Sequence, residues 1–289
     1  MASLPRPQSM GDSFILIDGA KVDALPQYIY REEVSPECDA LYRRTELESL
    51  VEISPWLVKA EFDGPISRKC FVDWMHDGVA IAVTSEVGFD ALLEHFRSLL
   101  IAHTTTGEDA IFRFYDPEIL RSLLSAGEST DDVRRLLGPC SSVAIQDRGN
   151  GRWEYFQNDV HPTTHLTASF VIREEHLVAM EQGAERTALR NLEAHTATYF
   201  PHLLSNGEDE QESDSSMVAR LIKAANGKEL RSTRDIALFI NTIGWLGADA
   251  FEDVEVSNLW RSGSAQPGKA IAQVAEYAER KSMEGLNHG

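Results

Sequence analysis

Four histidines, His161, His165, His195 and His202, are the side chains whose type could hold a metal and activate water, which would make the chain a metal-dependent hydrolase. The closest pair lies in HPTTH, at a spacing that serves a metal only on a helix. Pro162 and the two threonines favour an extended or loop conformation instead, so surface or capping histidines are the simpler reading. Paired carboxylates such as Glu32 with Glu33, or Asp131 with Asp132, are expected in so acidic a chain. Asp131 and Asp132 also follow Ser129 and Thr130 at a helix start, where negative charge suits the helix dipole. No nucleophile elbow, phosphate-binding loop, HExxH helix or dinucleotide fingerprint occurs in the sequence, and DRGNGR reads as a hairpin turn. Cys38, Cys70 and Cys140 are far apart and form no metal-ligand spacing, which suits buried thiols in a reducing compartment. No cofactor is expected.

IFRFYDP, from Ile111 to Pro117, is harder to assign to packing alone. Read as a strand, it places Ile111, Arg113 and Tyr115 on one face and Phe112, Phe114 and Asp116 on the other. Phe112 and Phe114 are core candidates, and Asp116 with Pro117 is an N-cap followed by the residue that best opens a helix. Arg113 in a buried-looking strand needs an acceptor. One reading is an internal ion pair, with Asp18 as the preferred partner; the other is a guanidinium facing a cleft, able to hold a carbonyl or carboxylate of a bound protein.

The elements that must position these residues are legible as alternating apolar runs and helical periodicities up to about residue 157. FILIDGA, WLVKAEF and VAIAVTS read as strands, Phe89 to His103 as an amphipathic helix, and SSVAIQD with WEYFQ as a closing hairpin. Beyond His161 the pattern turns helical: Glu174 to Phe200 is one long helix or two, Ser232 to Ala248 a buried helix, and Lys269 to Met283 a final amphipathic one. Gly207 to Ser216 has no apolar residue and reads as an acidic loop. The expected fold is an α/β (α+β) N-terminal lobe, residues 1–160, with a mixed sheet flanked by helices, plus an all-α C-terminal lobe, residues 161–289.

With 27 basic against 46 acidic residues the formal charge is −19, a field that repels phosphate backbones, so nucleic acid is not expected as a partner. The N-terminus has no apolar stretch of a signal peptide and no segment approaches a membrane span, so the expectation is a cytoplasmic protein without direct membrane insertion.

The motifs, taken in order, resemble the effector chaperones, or adaptors, of the bacterial type VI secretion system. The matching pieces are ILIDGA (Ile15 to Ala20), LYRRT (Leu41 to Thr45), SPWLV (Ser54 to Val58), the isolated Trp74, LLEHFRSLL (Leu92 to Leu100), FRFYDPEIL (Phe112 to Leu120) and LLGP (Leu136 to Pro139). LRSTRDIALFINTIGWLG (Leu230 to Gly247) is similar to the helical part that follows the domain in these proteins. The resemblance implies a non-catalytic protein that binds one cognate secreted effector, often at a hydrophobic segment, and hands it to the spike protein of the apparatus. The candidate effector contacts are Arg113, Tyr115, Trp56, Trp74 and Trp245, with Asp18, Gly19, Phe112, Phe114, Asp116 and Pro117 as the structural motif. An immunity protein that neutralises a toxin is the alternative from a different class.

Overall fold

The strand Asp12–Ile17 (β1) explains its own sequence. Phe14 and Leu16 point into one hydrophobic cluster, and Ile15 and Ile17 into a second on the opposite face. A strand buried on both faces must be apolar at every position, which is why FILI does not alternate. In the computed structural model, which describes residues 11–61, 63–126, 130–148, 151–158, 170–204, 214–263 and 265–286, β1 is a central strand of a six-stranded sheet. With β2 (Cys38–Ala40), β3 (Trp56–Lys59), β4 (Ala80–Ser85), β7 (Cys140–Gln146) and β8 (Trp153–Gln157), the order is β2-β3-β1-β4-β7-β8. Every neighbouring pair in it is antiparallel.

One face of this sheet carries α3 (Phe89–Ser98), α4 (Pro117–Ser125) and α5 (Thr130–Leu137), whose apolar residues join Phe14, Leu16, Val83 and Val143 in the larger cluster. The other face carries α1 (Leu25–Glu32), α2 (Pro65–Lys69) and the π-helical turn Cys70–Trp74, packed on Ile15, Ile17 and Val58. A second, three-stranded sheet has the order β6-β5-β9, built from β5 (Ile101–Thr104), β6 (Asp109–Ile111) and β9 (Val171–Ile172). The parallel β5–β9 pair makes this small sheet mixed. The expected α+β N-terminal architecture is therefore present, with a strand also at Val171–Ile172, beyond the residue where only helix was expected.

IFRFYDP departs from the strand reading. Strand β6 stops at Ile111; Phe112 N–H still donates to Leu100 O at 2.8 Å, and Asp116 N–H then donates to Arg113 O at 3.0 Å, closing a turn. The cause is local. Asp116 caps α4, accepting from Glu118 N at 3.0 Å and Ile119 N at 3.3 Å, so the chain must swing from strand into helix within a few residues. The two-residue alternation ends there: Ile111 is exposed whereas Tyr115 is buried.

Packing divides the chain into two compact units, Met1–Ala184 and Glu185–Gly289, with the division inside the single long helix α6 (Glu174–Tyr199). Among the described residues the second unit is helical throughout, with α7 (Pro201–Leu204), α8 (Asp214–Gly227), α9 (Thr233–Leu246), α10 (Val254–Ser262) and α11 (Pro267–Leu286). Ser232 caps α9 by accepting from Asp235 N at 3.1 Å, and Ile236, Phe239, Ile240 and Ile243 place it in the core against α11. That is the buried helix expected from its apolar sequence. Asp214 to Ser216, expected in the acidic loop, open α8, while residues 207–213 of that loop lie outside the described residues.

Candidate functional site

Asp18 is the residue around which the sequence motifs meet. It ends β1, where its N–H donates to Val79 O at 2.8 Å and its Oδ1 accepts from Ala20 N at 3.2 Å. Its other oxygen accepts from Arg113 Nη2 at 2.7 Å, with Lys21 Nζ 3.6 Å away. Lys21 reaches Asp116 as well, at 2.8 Å, so IDGA is tied to FRFYDP by two acids and two cations whose charges cancel. The ion pair between Arg113 and Asp18, one of the two readings of the sequence, is formed. Its carboxylate side chain is only 1% exposed and the arginine 45%. Burial opposes charge on Arg113, but the neighbouring Asp18 outweighs it and holds the guanidinium above its ordinary pKa.

The same segment is tied to LYRRT through a buried hydrogen bond between the Tyr115 and Tyr42 hydroxyls at 2.7 Å. Burial, with Tyr42 alongside, pushes the Tyr115 pKa up, so it stays a neutral phenol. Tyr42 N–H donates to Ser54 Oγ at 2.9 Å, and that hydroxyl donates to Pro55 O at 2.7 Å, joining LYRRT to SPWLV. Gly19 closes the circuit by space rather than by conformation: a Cβ there would lie 2.1 Å from Ser54 O. From α3, Arg97 donates to Leu41 O at 3.2 Å and to Ala40 O at 3.1 Å, and pairs with Asp39 at 3.0 Å. His95 on the same helix lies against Gly138 of LLGP, where a Cβ would come within 2.2 Å of the ring. The motifs are thus bound to one another, and most of their polar atoms are used internally.

Tyr115→Phe tests this network. It removes one hydroxyl and leaves the buried Tyr42 hydroxyl without its partner, which should destabilise the fold by roughly 1 to 2 kcal/mol in urea denaturation. A change below about 0.5 kcal/mol would mean the hydroxyl pair contributes nothing beyond packing.

The tryptophans fall mostly inside the molecule. Trp56 and Trp74 are 6% and 5% exposed, and Trp74 packs edge-on to Tyr28 with ring centroids 5.2 Å apart. Trp245 is half-buried in the second unit, edge-on to Phe200 at 5.7 Å. Phe112 and Phe114 are core residues, as expected, and Pro117 is buried at the first turn of α4. Of the residues predicted as partner contacts, Tyr115, Trp56 and Trp74 present almost no surface, and Arg113 keeps an exposed edge.

Of the four histidines, the two that are described, His195 and His202, both lie beside Phe200 and each bonds to α9. His195 Nε2 lies 2.6 Å from Asn241 Oδ1, His202 Nε2 lies 3.1 Å from Gly244 O, and His161 and His165 fall outside the described residues. Among the described residues no group of three or more His, Cys, Asp or Glu side chains could hold a metal ion. Cys70 and Cys140 are fully buried thiols whose pKa is pushed up by that burial.

The fold defines a class first: an α+β domain, stitched together by its own motifs, followed by a helical unit. Residues 13–134 match the family model described as Domain of unknown function (DUF4123), a match that lies within the first unit. The chain is also 24% identical over 275 residues to "Accessory protein VasW" of Vibrio cholerae serotype O1, an alignment spanning 93% of this chain and 88% of that protein. These two matches bear out the family resemblance drawn from the motifs. No solved structure matches the chain. Among the described residues no helix is long and apolar enough to cross a membrane.

Proposed function

We propose that this protein is a non-catalytic adaptor of type VI secretion that binds one cognate effector in the cytoplasm and assists its loading onto the spike protein. The observation that carries the reading is the similarity to an accessory protein along 93% of the chain, which includes the helical unit as well as the domain. The internal use of the motif side chains supports it. Asp18, Arg113, Asp116 and the Tyr42–Tyr115 pair build a scaffold, so these motif side chains are engaged in holding the fold rather than presented to a substrate.

The test is deletion of the gene in the native host, followed by measurement of each secreted effector. Loss of one effector from the medium, with the others still secreted, is the expected result, and that effector should co-purify with the protein through a targeting or membrane-inserting region. Unchanged secretion combined with self-intoxication would point instead to an immunity protein, which would bind the toxin's catalytic domain.

A further inference from the structure

Arg44 is the residue of LYRRT that the scaffold does not use. Its backbone sits in the left-handed region at φ 61°, a conformation that costs a side-chain-bearing residue about 1 kcal/mol and that glycine would adopt freely. The turn itself is held by others: Thr45 Oγ1 donates to Tyr42 O at 2.7 Å and accepts from Leu47 N at 3.1 Å. Arg43, next to it, is paired with Asp39 at 2.8 Å. Arg44 is exposed and, among the described residues, its guanidinium has no hydrogen-bond or ion-pair partner, in a chain of net charge −19. An arginine at a strained position without an internal partner is a candidate for an external one.

Its surroundings say what that partner must look like. Arg44 lines an open depression of about 580 Å³ together with Arg97, Leu47, Leu100 and Ile101. Ile101 pairs across the small sheet with Ile111, which is 51% exposed and extends the apolar floor outward. Glu46 is also on the rim and would repel a run of acids. Arg97 is already shared between Asp39 and Glu94, so the unclaimed charge is that of Arg44.

We infer that this depression binds a segment of a partner protein that presents an apolar side chain beside a single carboxylate. The apolar group covers Ile101 and its exposed cross-strand neighbour Ile111, since Leu47 and Leu100 beneath the depression are themselves buried, and the carboxylate pairs with Arg44 in the fork geometry that guanidinium offers. The inference rests on the adaptor reading for the source of the segment, but peptide binding to the purified protein can be measured without it, so the two can fail separately.

The probe is a fluorescein-labelled octapeptide of Gly and Ser with one Leu–Glu pair, compared by anisotropy with its Leu–Gln and Ala–Glu twins. The expected result is a preference of about 10-fold for Leu–Glu over either twin, weakening as salt is raised. Arg44→Gly should erase the preference while the urea midpoint stays level or rises, because glycine relieves the strained backbone. Arg44→Glu should erase it too. Equal binding of the three peptides, no binding up to about 1 mM, or an Arg44→Gly variant that keeps the preference would overturn the proposal. So would concentration-dependent dimerisation lost in Arg44→Glu, which would assign the face to a second copy of the chain.

Discussion

Arg113→Ala is expected to destabilise the first unit by about 3 kcal/mol, the low end of what removing one member of a buried ion pair costs. The asymmetry of the pair sets the size. Asp18 is 1% exposed with Arg113 in place, so the substitution leaves a carboxylate set below the surface whose remaining cation is Lys21 at 3.6 Å. The 45% exposure of Arg113 and the presence of Lys21 argue against a larger value. The companion variant is Asp18→Asn, which keeps an oxygen for Ala20 N and removes the charge that needs neutralising. In the double variant the loss should shrink to roughly 1 to 2 kcal/mol, giving a coupling energy well above the scatter of a double-mutant cycle. Urea denaturation of the four proteins reads this directly. An Arg113→Ala protein within about 0.5 kcal/mol of the parent would mean that the arginine is not a strut, and would return it to the list of partner contacts.

The preference for Asp18 as the arginine's partner was legible because a buried-looking arginine and an acid at a strand end are each conspicuous in sequence. Lys21–Asp116 and Tyr42–Tyr115 were not, since a part-exposed lysine and a tyrosine hydroxyl are satisfied by water as readily as by a partner and so do not announce in sequence that they need one. The motif boundaries held the signal, as Tyr42, Arg97, Gly19 and Gly138 all lie within segments singled out for their resemblance, yet nothing in those segments says which touches which. Strand register failed at FRFYDP for a different reason. Period-two alternation is a property of paired backbone, and the Asp116–Pro117 helix start took over before the strand could run its length. Trp56 and Trp74 show the same limit from the other side: residue type marked them as possible interface anchors, but the two-faced burial of the six-stranded sheet encloses them. The helical unit was read more easily because α9 and α11 carry their own periodicity, and α9 its Ser232 cap. Arg44 has no role legible in LYRRT, and it is the left-handed backbone together with a guanidinium unpartnered among the described residues that sets it apart.

Acidification should expose the His95 contact. Burial pushes the His95 pKa down to about 4, although its bond to Leu136 O works in the opposite sense. Nε2 therefore carries the proton and donates to Leu136 O at 3.2 Å, and the ring rests against Gly138, which adopts φ 53°. The unfolded chain binds the second proton near pH 6.5, whereas the folded chain resists it until about pH 4, so the stability this contact supplies is present above pH 6.5 and is lost as pH falls through that window. The ring keeps partial exposure, so the loss is placed at roughly 2 to 3 kcal/mol. Other groups titrate over the same range and the net charge of −19 changes with them, so the parent must be compared with a variant that differs only here. His95→Gln keeps a donor for Leu136 O and cannot titrate. Urea denaturation from pH 7 to pH 4 should show the parent losing that amount more than His95→Gln, with the curves separating below about pH 6.5. Parallel curves would show that His95 takes its proton as readily in the folded chain as in the unfolded one, and that the α3–LLGP contact contributes through packing alone.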